Sequence, residues 1–516
     1  MKHHYNRELN MTNRIIKVFI AWVLLFTINT NAEEQTELTL SINQFMSTLM
    51  QEFDIDAATS IAVVSEQKTI YQQSFGYADI ENKKLATDDT LFYIASITKP
   101  LFALTVLQSL ENSPYEASMS LKQMFPEISF AKEVQAEKIT IKDLLTHTSG
   151  LDDKLLSTAV STSGIHSKAS KLLMLAKLFP STDSKHGEFD YTNLGYNIVS
   201  IWYEKTFNKS WQDGVSQSVF KPLSMTHSTA YISEARNNHW ALAKPYSFFS
   251  STPKKALYLT KRDNTMHAAG GVISTASDMA KFLKAQLNTK ALGSAAIHSD
   301  LINFAQKPIA SLDSKRGDFE RTNYAYGWYT GTYKNNLTYH HFGTFDGFRP
   351  HLSFMPKQKI GIVILNNEGM LNDKLTDLIA DFIYSKLLDE KGAEARINAK
   401  IVKLKSMAFN YRKKMLTKEN NYTTSPWLLS ADKLQYTGTY HHPLAGNIDI
   451  VVSNKQFFLQ WGNLHSSATP FREKDQMRVK FRPTSGQYIQ FEMLENKPTG
   501  LIYDGLTFVK TKILKQ

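Results

Sequence analysis

The residue pattern of this 516-residue chain changes at Trp427, and that change restricts the possible folds more than any other feature. Before Trp427, runs typical of helices are mixed with runs typical of strands. After it, short alternating apolar runs are separated by turn residues, at the spacing of an up-and-down sheet or barrel. The sequence therefore predicts a small all-β, barrel-like domain over residues 427–516, with a polar break at residues 420–426 before it.

The preceding region, residues 33–390, is predicted to form one mixed α/β domain. Strand-like runs occur near both of its ends, at residues 61–64, 69–71, 338–341, 351–355 and 360–366. Helix-like runs lie between them, one of which has Thr140 as its cap and Asp143 in its first turn. This order favours an antiparallel sheet flanked by helices, together with a mostly helical subdomain.

The first 32 residues are predicted to be an export signal. Basic residues precede an apolar run at residues 18–28, and small residues ending at Ala32 suit a cleavage site. The run is shorter than the ~20 residues that a membrane span needs, so an uncleaved anchor is the less favoured alternative. The mature chain is expected to begin near Glu33 and to be periplasmic or secreted, whether translation starts at Met1 or Met11.

The positive charge of the chain is concentrated in one segment. The whole sequence carries a net charge of +11, and residues 391–420 hold nine Lys and Arg against two Glu. This distribution argues against a nucleic-acid-binding protein, which would spread basic residues along a groove or recognition face. Residues 391–426 are predicted to be a basic helical linker, with its helix at 391–418 presenting a solvated face. Weak contact of that helix with anionic lipid or an acidic cell-wall polymer is the alternative.

The chain contains no cysteine, which excludes a disulfide scaffold, a thiolate metal site and a cysteine nucleophile. Its 15 histidines show no spaced ligand set of the His-Glu-x-x-His kind. Neither a metal nor a cofactor is therefore predicted.

The sharpest local motif is Ser-Ile-Thr-Lys at residues 96–99, at the start of an apolar helix-like run. Residues three apart on a helix share a face, so the Ser96 hydroxyl and the Lys99 amine are expected to meet. A desolvated amine with a lowered pKa can take the hydroxyl proton or hold the base in place, and the helix N-terminus favours an oxyanion there. Taken alone, the motif is typical of surface helix turns.

A second motif places Tyr191 and Asn193 two residues apart between apolar residues. In an extended or turning segment both side chains point the same way, so both could face a cleft. A cationic lysine nearby would lower the pKa of the Tyr191 phenol, while Asn193 would orient the lysine and hydrogen-bond a substrate amide. A core tyrosine beside a turn asparagine is the alternative. His147, in a Thr-His-Thr-Ser-Gly run, is interpreted as a structural turn residue beneath the cleft.

The third motif, at residues 340–348, lies between two strand-like runs. Gly343 would let a substrate backbone approach the strand closely. The backbone N–H of Thr344 would join that of Ser96 in an oxyanion hole. His341 would supply a proton or bind a substrate carboxylate.

Together, in this order and spacing, the three motifs resemble the serine β-lactamase and penicillin-binding protein superfamily, in its class C and low-molecular-weight peptidase-like branch. Further agreement comes from the segments at residues 144–151, 220–225 and 269–278. The resemblance covers about residues 40–390 and implies a β-lactamase-like α+β fold. The tail from Trp427 is similar to the lipocalin-like β domain often appended to such hydrolases.

The resemblance also implies roles for the motif residues. Ser96 would be the acylating nucleophile, Lys99 its proton partner, and Tyr191 the general base that later activates water, with Asn193 as its polar neighbour. His341 stands where class C β-lactamases usually carry a lysine. His-x-Gly is commoner among the DD-peptidases, esterases and D-amino-acid peptidases of this branch, which places efficient antibiotic hydrolysis in doubt.

The expected function is that of an exported serine hydrolase that forms an acyl-enzyme on a peptide, ester or amide carbonyl. The expected partner is a small-molecule or peptide substrate, such as a cell-wall peptide. Within the same class, a β-lactamase of the class C type is the alternative. In another class, the alternative is a catalytically retired envelope protein that serves as a binding module or scaffold.

Overall fold

The computed structural model of the protein describes residues 36–512, except 153, 259–260, 289–296, 370–371 and 484. The predicted export signal, residues 1–32, lies outside the described residues. Within the described part of the chain, no helix is both long and apolar enough to cross a bilayer.

An eight-stranded antiparallel sheet forms the centre of the mixed domain. In chain order its strands are β1 (Thr59–Ser65), β2 (Thr69–Phe75), β3 (Ala310–Arg316), β4 (Phe319–Tyr324), β5 (Tyr329–Tyr333), β6 (Asn336–Phe342), β7 (His351–Met355) and β8 (Ile360–Asn366). Their spatial order is β2-β1-β8-β7-β6-β5-β4-β3. The prediction of an antiparallel sheet flanked by helices is confirmed.

Helices surround the sheet. Those of twelve residues or more are α1 (36–53), α2 (Thr98–Glu111), α3 (Leu194–Phe207), α4 (Ala276–Leu287), α5 (Asn372–Leu387) and α6 (Ala393–Thr424). Shorter α-helices span Leu121–Met124, Ile141–Leu145, Lys154–Thr158, Lys168–Leu175, Trp211–Val215, Ile232–Asn237 and Ser299–Ala305. The helix Ile141–Leu145 begins at the predicted cap, because Thr140 and Asp143 form a reciprocal capping box.

Shorter turns and strand pairs complete the mixed domain. The strand pairs are Tyr77–Asp79 with Lys84–Leu85, Phe92–Tyr93 with Ile273–Ser274, and Leu151–Asp152 with Phe179–Pro180. Single-turn 3₁₀ and π segments span Ala95–Ile97, Lys132–Val134, Ala159–Ser163, Ser216–Phe220 and Asp263–Thr265.

The sheet is covered on both faces, which explains the continuous apolar run of β1. Ile61 and Val63 join a core that includes α1, α5 and the start of α6. Ala62 and Val64 join the opposite core, which includes α2, α3 and α4. The second face carries the Ser96–Lys99 motif, because α2 starts from the turn that contains Ser96.

The basic helix α6 differs from its prediction in two ways. It continues to Thr424, so the predicted break at residues 420–426 was wrong. Its first half is also docked, because Ile397 and Ile401 are buried. Lys405 Nζ lies 2.7 Å from a carboxylate oxygen of Glu52. The segment is therefore fixed to the mixed domain at this end, and is not simply a solvated linker.

The C-terminal strands form a closed eight-stranded barrel, which confirms the predicted all-β, barrel-like region. The strands are β9 (Gly438–His442), β10 (Gly446–Ser453), β11 (Gln456–Trp461), β12 (Leu464–Pro470), β13 (Gln476–Arg482), β14 (Ser485–Leu494), β15 (Lys497–Tyr503) and β16 (Leu506–Lys512), after a 3₁₀ turn at Lys433–Tyr436. Each strand pairs with the next, and β9 pairs with β16. Gly505, with φ +78°, turns the chain between β15 and β16.

Candidate active site

Ser96 lies in the single turn Ala95–Ile97, which leads directly into α2. The preceding residue, Ala95, has φ +46°, a left-handed conformation that costs about 1–2 kcal/mol for a residue with a Cβ. Ser96 is partly exposed, whereas Lys99 is fully buried. Lys99 Nζ lies 3.3 Å from Ser96 Oγ, so the predicted meeting of hydroxyl and amine is confirmed.

Lys99 is surrounded by oxygen atoms that carry no formal charge. Besides Ser96 Oγ, its Nζ lies 2.8 Å from Asn193 Oδ1 and 2.9 Å from the backbone oxygen of Ala269. Among the described residues, no carboxylate forms an ion pair with it. Burial therefore lowers the pKa of Lys99 well below the value of an exposed lysine.

The three contacts of Lys99 are those of a donor. Its Nζ donates to Ser96 Oγ, to Asn193 Oδ1 and to the Ala269 oxygen, and a charged amine has three N–H groups for them. The oxygens of Asn193 and Ala269 can only accept, so loss of the proton directed at Ser96 Oγ would leave the lone pair facing that hydroxyl. Burial favours this neutral form, in which Ser96 and Lys99 would act as nucleophile and base.

Tyr191 lies in the segment before α3 and reaches the same place. Its ring centroid is 4.7 Å from Lys99 Nζ, and its phenol hydrogen-bonds Ser96. Burial raises the pKa of Tyr191 well above its ordinary value, with the Tyr329 phenol adding to the rise; the hydrogen bond with Ser96 opposes it less strongly. The predicted lowering of the Tyr191 pKa was wrong, because burial, which favours the neutral phenol, is the largest influence on it.

His147 supports the Tyr191 segment from beneath, as its structural interpretation predicted. It is buried, has φ +62°, and its Nδ1 accepts the backbone N–H of Thr192 at 3.3 Å. The ring centroids of His147 and Tyr191 are 4.4 Å apart. Burial, reinforced by the charge of Lys99, lowers the pKa of His147 well below its ordinary value. A neutral imidazole therefore fixes the backbone between Tyr191 and Asn193.

His341 does not present a free nitrogen to the cleft. It is buried in β6, with Nδ1 2.9 Å from the Phe342 carbonyl oxygen and Nε2 3.2 Å from the Tyr324 hydroxyl. Because a carbonyl only accepts, Nδ1 donates and Nε2 accepts from Tyr324. Burial lowers the pKa of His341 well below its ordinary value. Both ring nitrogens of His341 are thus engaged within the protein, and its binding of a substrate carboxylate stays a prediction.

Gly343 allows close packing inside the protein, whereas its predicted role was to let a substrate backbone approach the strand. A Cβ at this position would lie 2.6 Å from the carbonyl oxygen of Ile94 and 2.5 Å from Pro350 Cγ. Ile94 is two residues before Ser96, so the glycine lets the end of β6 reach the nucleophile turn. Thr344, the next residue, is exposed. This packing brings the two predicted oxyanion-hole segments together.

Replacing Gly343 by alanine should separate these segments. Because the added methyl group would meet backbone at one side, the free energy of unfolding is expected to fall by about 1–3 kcal/mol. Chemical denaturation monitored by tryptophan fluorescence measures this change. Gly270→Ala is the matched control, since a Cβ there meets the His267 side chain at 3.1 Å. Equal stability of Gly343→Ala and wild type would contradict the packing role.

The structure adds groups to the site that the sequence analysis did not assign. The Ala269 backbone oxygen accepts a hydrogen bond from Lys99. The sequence signal for this close approach was the Ala-Gly-Gly run, because a Cβ at Gly271 would lie 2.3 Å from the His267 backbone nitrogen. Tyr324, which holds His341, had no recognisable motif. In the described residues, no cluster of three or more His, Asp or Glu side chains could hold a metal ion.

This fold and the Ser96–Lys99–Tyr191 arrangement define the superfamily of serine β-lactamases and penicillin-binding proteins. Residues 42–381 match the Beta-lactamase family, and the chain belongs to that family. The sequence resemblance to this superfamily is thereby confirmed.

Relatives of known sequence are similar over the same region. Protein flp of Staphylococcus aureus (strain COL) is 27% identical over 335 residues, which are 64% of this chain and 63% of that protein. Penicillin-binding protein 4* of Bacillus subtilis (strain 168) is 25% identical over 272 residues, covering 50% of this chain and 56% of that protein. The matches thus span less than two thirds of these relatives.

A solved structure shares the fold over a larger part of the chain. The octameric penicillin-binding protein homologue from Pyrococcus abyssi superposes with a TM-score of 0.57 at 20% identity. The match covers 91% of this chain and 99% of that chain. At this identity the likeness concerns the fold alone.

Proposed function

We propose that the protein is an exported serine hydrolase that acts through an acyl-enzyme. The observation that carries the proposal is the buried Lys99 amine, whose Nζ lies 3.3 Å from Ser96 Oγ and has no carboxylate partner among the described residues. Ser96 attacks the substrate carbonyl while Lys99 accepts its proton. The backbone N–H groups of Ser96 and Thr344 hold the oxyanion that forms. The export signal proposed for residues 1–32 supports activity outside the cytoplasm.

Tyr191 completes the proton path. Its phenol is neutral at rest, because burial raises its pKa, so the first proton passes to Lys99 rather than to Tyr191. Tyr191 then donates a proton to the leaving group and recovers it from the water that attacks the acyl-enzyme, and Lys99 returns its proton to Ser96 Oγ as the acid departs. His147 and Asn193 act as positioning residues, since one fixes the Tyr191 backbone and the other binds Lys99 Nζ.

The proposed substrates are peptides ending in a D-residue or short esters. This choice is supported by His341, which is buried and neutral where class C β-lactamases carry a lysine. Turnover of β-lactams remains the second candidate, because the acylating geometry is the same for both carbonyls. A retired scaffold is disfavoured by the assembled Ser96, Lys99 and Tyr191, for which packing alone offers no reason.

Intact-mass measurement after exposure to a penicillin tests the proposed function. The expected result is one covalent adduct per chain that persists for minutes, together with Ser96-dependent cleavage of a nitrophenyl ester. An adduct that forms and disappears as the drug is consumed would favour the β-lactamase candidate. No adduct and no cleavage of an ester or a D-alanyl peptide would contradict the proposed function.

A further inference from the structure

The C-terminal barrel reaches the loop that follows β6. Arg482, the last residue of β13, approaches Asp346 with Nε 3.4 Å from Oδ2 and Nη2 3.5 Å from Oδ1. Asp346 is only two residues beyond Thr344, which supplies the proposed oxyanion-hole N–H. A barrel residue more than 380 positions after Ser96 in sequence thus lies beside the catalytic cleft.

The barrel is held in this place by a second contact region. The turn between β11 and β12 packs on the mixed domain, where the Asn463 N–H donates to the Ser163 carbonyl at 2.8 Å. The rings of Tyr258 and His465 have centroids 3.8 Å apart, and the Tyr258 hydroxyl donates to the Asn463 carbonyl at 3.2 Å. These contacts fix the barrel against the cleft edge, so Arg482 has a defined position.

A line of basic groups connects Arg482 with the nucleophile. Lys261 is buried, and its Nζ lies 4.7 Å from the centroid of the Phe345 ring, next to Asp346. Burial, and then the charge of Arg482, lower the pKa of Lys261 to about 7. The pKa of His267 is lowered by burial and by the charges of both Lys261 and Lys99. Lys261 Nζ also donates to the Thr265 carbonyl at 3.1 Å, two residues before His267. A Cβ at Gly270 would lie 3.1 Å from His267 Nε2 and 3.6 Å from the carbonyl carbon of Ala95, so His267 lies beside the nucleophile turn.

Arg482 is the group in this line that can bind an anion from solvent. Its side chain is 47% exposed, whereas the Lys261 residue is 6% exposed. Its contacts with Asp346 are longer than the 2.7–2.9 Å of a well-formed ionic hydrogen bond, so the guanidinium is not fully engaged. A guanidinium has five donors in a planar fork that matches a carboxylate.

We propose that Arg482 binds a carboxylate of the substrate, so that the C-terminal barrel completes the binding site of the hydrolase. This inference rests on the proposed function and names the substrate class as carboxylate-bearing acyl donors. Arg482 would then have the carboxylate-binding role that was predicted for His341. The scissile carbonyl lies at Ser96 and the carboxylate points toward Arg482, which therefore determines specificity without taking part in bond cleavage.

Binding measured on the Ser96→Ala background separates recognition from chemistry. The probes are acetyl-D-alanyl-D-alanine and its C-terminal amide, compared by titration calorimetry. Ser96→Ala is expected to bind the acid about 10- to 100-fold more tightly than the amide, the effect of one charge-assisted hydrogen bond. Adding Arg482→Gln should remove this preference, whereas Arg482→Lys should keep part of it. Lys497→Ala, on an exposed barrel position, is the matched control and should leave the preference unchanged.

Two results would overturn the inference. One is equal binding of the acid and the amide to Ser96→Ala. The other is an unchanged preference for the acid after Arg482→Gln is added, in a double variant whose unfolding midpoint equals that of Ser96→Ala. Failure of the proposed function would look different. In that case no Ser96-dependent adduct or ester cleavage would occur, while the binding preference and its loss with Arg482→Gln would persist.

Discussion

The Ser96→Ala variant is expected to form no adduct with a penicillin and to lose ester hydrolysis by about 10⁴-fold or more. The reason is that Ser96 Oγ is the hydroxyl oxygen beside the buried Lys99 amine, 3.3 Å from its Nζ. Removing the hydroxyl leaves the amine without a nucleophile to activate. Intact-mass spectra and initial rates on a nitrophenyl ester measure the two effects.

A surface serine provides the control for this variant. Ser118 is exposed and its hydroxyl contacts only the nearby Glu116 carboxylate among the hydrogen bonds described for it, at 3.0 Å. Ser118→Ala should therefore keep both the adduct and the hydrolysis rate of the wild type. An adduct of the same mass and yield on Ser96→Ala would exclude Ser96 as the nucleophile.

The Lys99→Met variant is expected to retain the fold and lose acylation by about 10²–10⁴-fold, the usual contribution of a positioned general base. Methionine has a similar length and no charge, so the buried volume is preserved while the lone pair disappears. Second-order rate constants for adduct formation measure the loss. A rate within twofold of wild type would contradict the assignment of Lys99 as the base.

The same variant should change how stability depends on pH. An exposed lysine has a pKa of 10.5, and the pKa of Lys99 in the folded protein is far lower. Between these two values the unfolded chain binds one more proton than the folded chain. Wild-type stability should therefore rise with pH by about 1.4 kcal/mol per unit relative to Lys99→Met.

The free energy of unfolding of wild type and of Lys99→Met, measured by denaturation between about pH 7 and 9, tests this linkage. Lys261, whose pKa of about 7 is also lowered, contributes equally to the two chains and cancels in the difference. Parallel stability curves for wild type and Lys99→Met would show that the Lys99 amine is charged in the folded protein. That result would also remove the basis for its role as proton acceptor.

Local sequence periodicity predicted much of the fold. The alternation in the last 90 residues indicated a barrel, and the capping residues Thr140 and Asp143 marked the start of a helix. Ser96 and Lys99 are three residues apart, so helix geometry alone placed their side chains together. The contact of Lys99 with Asn193, 94 residues later, agrees with the orienting role predicted for Asn193 from the chemistry of its amide.

The properties that could not be predicted depend on burial and on distant parts of the chain. The pKa direction of Tyr191 and the availability of His341 follow from how completely β5, β6 and α3 enclose them, which a residue pattern does not specify. The ion pair of Arg482 with Asp346 joins residues 136 positions apart, one in the barrel and one in the mixed domain. No local signal in either segment indicates that contact.

The strand order of the central sheet has a consequence for how the protein is made. β1 pairs with β8, so that Thr59 lies opposite Asn366. A ribosome adds about 5–20 residues per second, so the first strand waits roughly 15–60 seconds for its partner. During that time β1 can pair with β2 alone, and its other edge stays without its native neighbour. A nascent chain with this strand order therefore presents an unpaired strand edge until its second half has been synthesised, which is the kind of species that chaperones protect from aggregation.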